Sequence, residues 1–360
     1  MKTKLVLEDG SVFNGYSFGA AGERSAEIVF NTSMTGYQEI ITDPSYAGQM
    51  VTMTYPLIGN YGVNEDDKES KKPFLDALVV KELSCIASNW RSEMSLSEYM
   101  KKHHVLGIQG IDTRALARHI RTKGSMRAVI STDDLDDASL VQKASSCASL
   151  LGRNLVKDVT CDKTYNWNED GKFKVAVIDC GVKYNILRNL KANDCSVTVF
   201  PCHTSAQDIL SIKPDGIFIS NGPGDPSAVL DVIETTKALI GKLPIFGICL
   251  GQQIIGLALG GKTFKLKFGH HGGNHPVKDV LSGKCYITSQ NHGFCIDIDS
   301  LPKRDIDITH INLNDKTLEG IAHKKEPLFS VQFHPEAGPG PHDAQGLFGS
   351  FTKMMEEFHA

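Results

Sequence analysis

The residues best suited to chemistry lie late in the chain. Gly247-Ile248-Cys249-Leu250-Gly251 ends an apolar run that starts at Pro244 and leads into a helical segment over Gln252–Leu259. Small residues on both sides of a nucleophile at a strand-to-helix junction form the nucleophile-elbow pattern, here with Cys in place of Ser. Cys249 would sit at a helix N-terminus, where unpaired N–H groups and the macrodipole favour thiolate over thiol. The N–H of Leu250 would face an oxyanion formed on an attacked carbonyl. The same residues also suit a buried cysteine beside glycines needed for strand–helix packing, since free cysteine is among the most buried residue types. A partner base decides between these two readings.

His334-Pro335-Glu336 supplies a candidate. It follows the strand-like run Leu328–Phe333, and Pro335 keeps His334 out of helical geometry. In extended backbone residues i and i+2 face the same side, so imidazole and carboxylate are neighbours. Glu336 can then accept from one ring nitrogen while the other takes a proton from a thiol. Cys, His and Glu together suit acyl transfer: thioester formation, then hydrolysis. Ser220-Asn221-Gly222-Pro223-Gly224-Asp225-Pro226 closes an earlier strand at the same sheet edge. It reads either as turn chemistry or as a source of backbone N–H groups for an oxyanion. It lacks the Lys and Ser/Thr of a phosphate-binding loop, and no GxGxxG follows a strand, which leaves no nucleotide site on this chain.

The elements that position these residues alternate. Lys174–Asp179, Ser196–Phe200, Gly216–Ile219 and Pro244–Ile248 are nearly continuous apolar runs, separated by helical segments near Asn185–Lys191, Ala206–Ile212 and Ala228–Ile240. Strands without alternation are buried on both faces, and β-α alternation requires parallel crossovers. The second half is therefore a doubly wound, mostly parallel α/β sheet, with its ligands expected beyond the carboxyl ends of the strands. The first half is strand-rich α+β, with a hairpin at Asp9-Gly10 and helices near Ser97–His104 and Thr113–Lys123, the latter stopped by Gly124. Polar, charged sequence marks the boundary. It gives an N-terminal domain over 1–151, a linker over 152–171 and a second domain over 172–360.

Composition narrows the class. With 38 Lys and Arg against 42 Asp and Glu, a formal charge of −4 over 360 residues, the slight acidity argues against a nucleic-acid or anionic-membrane footprint. Nine cysteines, an odd number with no CxxC pair, match neither a disulfide framework nor a paired zinc site. Leu5-Val6-Leu7 is too short for a signal segment, and Pro244, several glycines and Gln252-Gln253 interrupt the longest apolar stretch. A reducing, cytoplasmic compartment is expected. His270, His271 and His275 lack nearby Cys or i, i+4 helical spacing, so packing or interface work is expected of them and no metal site.

Cys249 within Gly-Ile-Cys-Leu-Gly, His334-Pro335-Glu336 and Ser220–Pro226 together resemble the triad-type, class I glutamine amidotransferases. Further segments narrow the resemblance: Phe30–Glu39, Thr42–Tyr46, Ile111-Asp112-Thr113-Arg114 and Phe268–Pro276. These are similar to the small, glutamine-hydrolysing subunit of carbamoyl-phosphate synthase, and the similarity runs over nearly the whole chain. The resemblance implies Cys249 as nucleophile, His334 as base and Glu336 as the group that orients it. It implies oxyanion N–H groups from Leu250 and Gly222, with Gly224 in the same loop. Ser45 from the first domain, Gln253, and Asn291, Gly293 and Phe294 match the family's glutamine-binding positions. Amide, hydroxyl and backbone partners suit a zwitterionic amino acid better than an apolar slot. Position 252 is Gln where this subunit commonly has His, and no role is assigned to it.

The resemblance also implies a partner: the large synthetase subunit, which carries ATP, Mg²⁺ and bicarbonate and makes carbamoyl phosphate for arginine or pyrimidine synthesis. No cofactor is expected on this chain. The first domain is expected to dock that partner. Two alternatives are an amidotransferase subunit of another synthase, which the N-terminal domain argues against, and a catalytically silent module of the same fold, which the intact Cys249, His334 and Glu336 argue against.

Overall fold

Asp9-Gly10 makes the first turn of the chain. Gly10 adopts φ +88°, and Lys2–Leu7 pairs antiparallel with Val12–Ser17 in register Val6↔Val12. In the computed structural model, which describes residues 1–360, this hairpin belongs to a closed barrel of seven strands. Its order is Lys2–Leu7, Val12–Ser17, Leu106–Gln109, Ala77–Val79, Gln49–Met53, Glu23–Asn31 and Met126–Ser131, returning to Lys2–Leu7. Closure leaves no unpaired edge. Parallel and antiparallel neighbours are mixed around the ring, so its strands follow one another at irregular spacing in the sequence. Leu5, Leu7, Ile28, Met50, Val79 and Ile108 form one buried apolar cluster with Leu116 and Ile120 of the helix Thr113–Lys123. That helix starts on Asp112, whose side chain accepts from the N–H of Ala115, and stops at Gly124. The shorter helix Leu96–Lys102 starts on a capping box formed by Ser95 and Glu98.

The chain divides into two units, Met1–Leu151 with Lys267–Gly272, and Gly152–Leu266 with Gly273–Ala360. The stretch 152–171, expected as a linker, is not free chain. It carries the short helix Val156–Val159 and the strand Tyr165–Asn168, which pairs antiparallel with Cys195–Pro201 at one sheet edge. Its polar composition reflects an edge position with one face in solvent.

The second unit is built on a ten-stranded sheet whose parallel part runs Cys195–Pro201, Phe173–Asp179, Gly216–Ile219, Ile245–Ile248, Leu328–Val331. Side chains alternate between the two faces. Ala176, Ile178, Ile217, Ile219 and Ile245 join one buried cluster; Val175, Val177, Phe218, Phe246 and Ile248 join the other. Both faces are covered, so the strands read as unbroken apolar runs. The second cluster is completed by the C-terminal helix Gly346–His359, which lays Phe348 and Phe351 against Phe218 and Phe246. An antiparallel extension of Leu318–His323, Ile306–Asn312, Thr263–Asp279 and Cys285–Ile296 continues the sheet past Leu328–Val331. This extension, absent from the expected plan, carries the Gln290–Phe294 segment.

Candidate active site

Cys249 stands between the strand Ile245–Ile248 and the helix Leu250–Ala258, at φ +56° and ψ −106°. A non-glycine residue in that region costs about 1–3 kcal/mol, and the strain turns the side chain out at the strand's carboxyl end. The flanking glycines make the bend possible. A Cβ on Gly251 would lie 2.2 Å from the carbonyl oxygen of Ile219, and one on Gly247 would lie 2.6 Å from Ile255 Cδ1. Any larger residue would push the elbow helix off the sheet. Leu250 is the first helical residue, so its N–H belongs to the turn with no acceptor inside the helix. Gly222 packs closely against the elbow: a Cβ there would come within 2.1 Å of the Cys180 carbonyl oxygen and 2.8 Å of Leu250 Cδ2. Gly224, at φ +88°, backs onto Arg153, whose carbonyl accepts from the N–H of Asp225.

His334 and Glu336 follow the strand Leu328–Val331. The N–H of His334 donates to the Ser289 carbonyl, and its Nδ1 lies 2.6 Å from Glu336 Oε1. The Cys249 thiol adjoins the same imidazole and its Sγ lies 3.5 Å from the Asn291 carbonyl oxygen. Cys249, His334 and Glu336 are all buried. Burial by itself would depress the His334 pKa. The Glu336 carboxylate and then the Cys249 sulfur outweigh it and lift the imidazole to about 10. For Glu336 burial pushes upward, but the Lys183 ammonium and the His334 ring hold the carboxyl down at about 2. At neutral pH the ring is therefore an imidazolium between sulfur and carboxylate. It is a proton donor in waiting, the state a base reaches once it has taken the proton of the neighbouring thiol.

Lys183 escaped the sequence reading. Its Nζ is 3.1 Å from Glu336 Oε1 and donates to the Ala337 carbonyl at 2.6 Å, with the side chain 3% exposed. Asn185 Nδ2 donates to the Glu336 carbonyl. Both residues lie at the start of the helix Tyr184–Ala192, just past the strand Phe173–Asp179. The available signal was a lysine directly after a buried strand at the carboxyl edge of the sheet, where a solvated charge is not expected.

The other expected binding residues fall into separate groups. Gln253 Nε2 donates to the Phe294 carbonyl at 2.7 Å and to Gln332 Oε1 at 3.0 Å. That ties the elbow helix to the segment carrying Asn291, Gly293 and Phe294. Gly293 has no heavy atom near where a Cβ would point, so its backbone is open on that side. Ser45 belongs to the first unit, in the turn Pro44–Tyr46, with its N–H bonded to Asp43 Oδ1 at 2.9 Å. Gln252 is fully buried, and neither of its amide atoms has a hydrogen-bond partner within the protein. His271 packs its ring 6.0 Å from that of Tyr46 inside the first unit. All nine cysteines are free thiols.

A strained thiol, an imidazolium and a doubly held carboxylate can carry a thioester mechanism. Comparison with known proteins agrees with that chemistry. Residues 176–354 match the family described as Glutamine amidotransferase class-I, and residues 5–130 match Carbamoyl-phosphate synthase small chain, CPSase domain. The chain is 55% identical over 371 residues to the carbamoyl phosphate synthase small chain of Syntrophotalea carbinolica, covering 99% of this chain and 98% of that one. It is 56% identical over 365 residues to the protein of the same name from Aquifex aeolicus, covering 98% of each. With the Chlorobaculum tepidum small chain the identity is 55%, over 98% of this chain and 97% of that one.

Proposed function

Because the chain belongs to the carbamoyl phosphate synthase small chain family, we propose that it hydrolyses glutamine at Cys249 and hands the ammonia to a large synthetase chain. The observation that carries the reading is the buried array of Cys249, His334, Glu336 and Lys183. The thiolate attacks the side-chain carboxamide carbon, and the oxyanion is met by the N–H groups of Leu250 and Gly222. His334, held protonated by Glu336, gives its Nε2 proton to the departing nitrogen, and ammonia leaves a γ-glutamyl thioester on Cys249. The ring, now neutral, takes a proton from water. The hydroxide formed attacks the thioester, glutamate leaves, and thiolate and imidazolium are restored. Gly224, Gln253, Asn291, Gly293 and Phe294 hold the amino-acid part of the substrate.

Ammonia released into neutral water becomes mostly ammonium, which is no nucleophile, so its delivery needs a sheltered route to the consuming chain. ATP, Mg²⁺ and bicarbonate belong to that large chain. The first domain supplies docking surface, and the complex works in the cytoplasm in arginine or pyrimidine synthesis. No helix here is long and apolar enough to cross a membrane. The test is Cys249→Ser in complex with the large chain. Glutamine-dependent carbamoyl phosphate synthesis is lost and ammonium-dependent synthesis is kept; equal loss of both refutes the role given to the cysteine.

A further inference from the structure

The second unit buries a carboxylate that thioester chemistry does not use. Glu319 lies in the strand Leu318–His323 and is 0% exposed. Its oxygens are met by two amides: Asn312 Nδ2 donates to Oε1 at 2.7 Å and Gln290 Nε2 donates to Oε2 at 2.9 Å. An ionised carboxylate only accepts, so it fixes which way the Gln290 amide points, nitrogen towards Glu319 and oxygen away. That oxygen lies 3.0 Å from His292 Nε2, and His292 Nδ1 lies 2.8 Å from the Phe294 carbonyl oxygen. Each ring nitrogen thus faces an acceptor. Both ring nitrogens must therefore carry hydrogen, which makes the ring an imidazolium. A ring nitrogen of His292 and one of His270 lie within 4.8 Å of the Glu319 carboxylate, so its negative charge faces two imidazoles, with Gln290 as the hydrogen-bonded link to His292.

The line ends on atoms of the proposed site. The Phe294 carbonyl that His292 holds also accepts from Gln253 on the elbow helix, and the Asn291 carbonyl oxygen lies 3.5 Å from Cys249 Sγ. Behind them, the N–H of Gln332 donates to the Glu319 carbonyl, and the Gln332 side chain accepts from Gln253.

We propose that Glu319 is a positioning residue for glutamine. Acting through Gln290, it holds His292 as a doubly donating imidazolium that pins the Phe294 carbonyl and sets the Asn291–Phe294 segment against the substrate. This rests on the assignment of that segment to glutamine binding made above.

Glu319→Gln tests it with almost no change of shape. In either orientation the new amide aims an N–H at Gln290 or at Asn312. If Gln290 turns, it offers His292 a donor, and the ring gives up a proton. In the complex with the large chain, the variant raises the KM for glutamine about ten- to hundredfold. The glutaminase kcat stays within about threefold and ammonium-dependent synthesis is unchanged. An unchanged KM, or a fall in kcat with no change in KM, overturns the proposal. Asn291→Ala separates it from the reading on which it rests. A raised KM in Asn291→Ala beside an unchanged KM in Glu319→Gln rejects Glu319 alone, whereas an unchanged KM in Asn291→Ala removes both. Should Glu319→Gln not fold, ¹⁵N-histidine NMR of the full wild-type chain at pH 7.5 decides, with the His292 signals assigned by their loss in His292→Asn. Two protonated ring nitrogens on His292 support the proposal, and a neutral ring overturns it.

Discussion

Replacing Lys183 by methionine keeps the length of the side chain and removes its charge, and the structure sets the size of the effect. Lys183 and Glu336 are a buried ion pair at 3.1 Å, with side-chain exposures of 3% and 0%. Removing one member of such a pair leaves the other buried and unpaired, which costs about 3–5 kcal/mol. A second route gives a similar figure. A carboxyl held at about 2 against an ordinary 4.5 represents about 3 kcal/mol in favour of its ionised form, and Lys183 is the largest of the groups that hold it down. Because the folded value lies below the unfolded one, that stability is complete above pH 4.5 and disappears as pH falls towards 2. Lys183→Met thus lowers the melting temperature at pH 7 by about 6–20 °C, taking about 2–4 °C per kcal/mol for a unit of this size. It also moves the acid limb of unfolding to higher pH, since Glu336 then protonates more readily. Calorimetry from pH 3 to 8 reads both effects, and glutaminase activity falls because a protonated Glu336 no longer holds His334 charged. A variant that melts like the wild type at pH 7, with an unshifted acid limb, would refute the claim that Lys183 sustains the carboxylate.

The elbow glycine and the open glycine should behave oppositely. Gly251→Ala forces a Cβ to 2.2 Å from a backbone oxygen, so it lowers stability by several kcal/mol and abolishes activity; Gly293→Ala meets no neighbouring atom and leaves the melting temperature within about a degree. The His334 ring, raised to about 10 from an ordinary 6.5, contributes stability that is full below pH 6.5 and is lost as pH climbs through 10. Histidine NMR therefore finds it still protonated at pH 8.5 in the wild type and neutral there in Glu336→Gln, where its largest stabilising partner is gone.

Much of the second domain could be read from residues because its parallel strands are buried on both faces, which leaves long apolar runs such as Lys174–Asp179 bounded by helices. The Gly-x-Cys-x-Gly elbow is legible as a short pattern, although only Gly247 is required by atoms of the same turn, whereas Gly251 is required by the Ile219 carbonyl of the neighbouring strand. The barrel of the first unit was not legible. Its closure depends on pairings such as Lys4↔Ser131, between strands far apart in the chain, which periodicity does not encode. Tyr165–Asn168 was mistaken for linker because an edge strand shows one face to solvent. Lys183 and Glu319 were missed because a lysine or glutamate in sequence is ordinarily a solvated residue. Only the fold reveals that each is buried against a partner 153 or 29 positions away. The charge state of His334 likewise depends on three side chains meeting in space, which residue types do not encode.

Turnover through Cys249 requires its sulfur to bond to the side-chain carbon of glutamine. It is tested most directly by rapid acid quench of the small–large complex turning over isotopically labelled glutamine, followed by mass spectrometry of the proteolysed small chain. Label is expected as a γ-glutamyl thioester on the peptide carrying Cys249, removed by hydroxylamine and absent from Cys249→Ser. Label on another residue, or steady glutamine hydrolysis with none on Cys249, contradicts it.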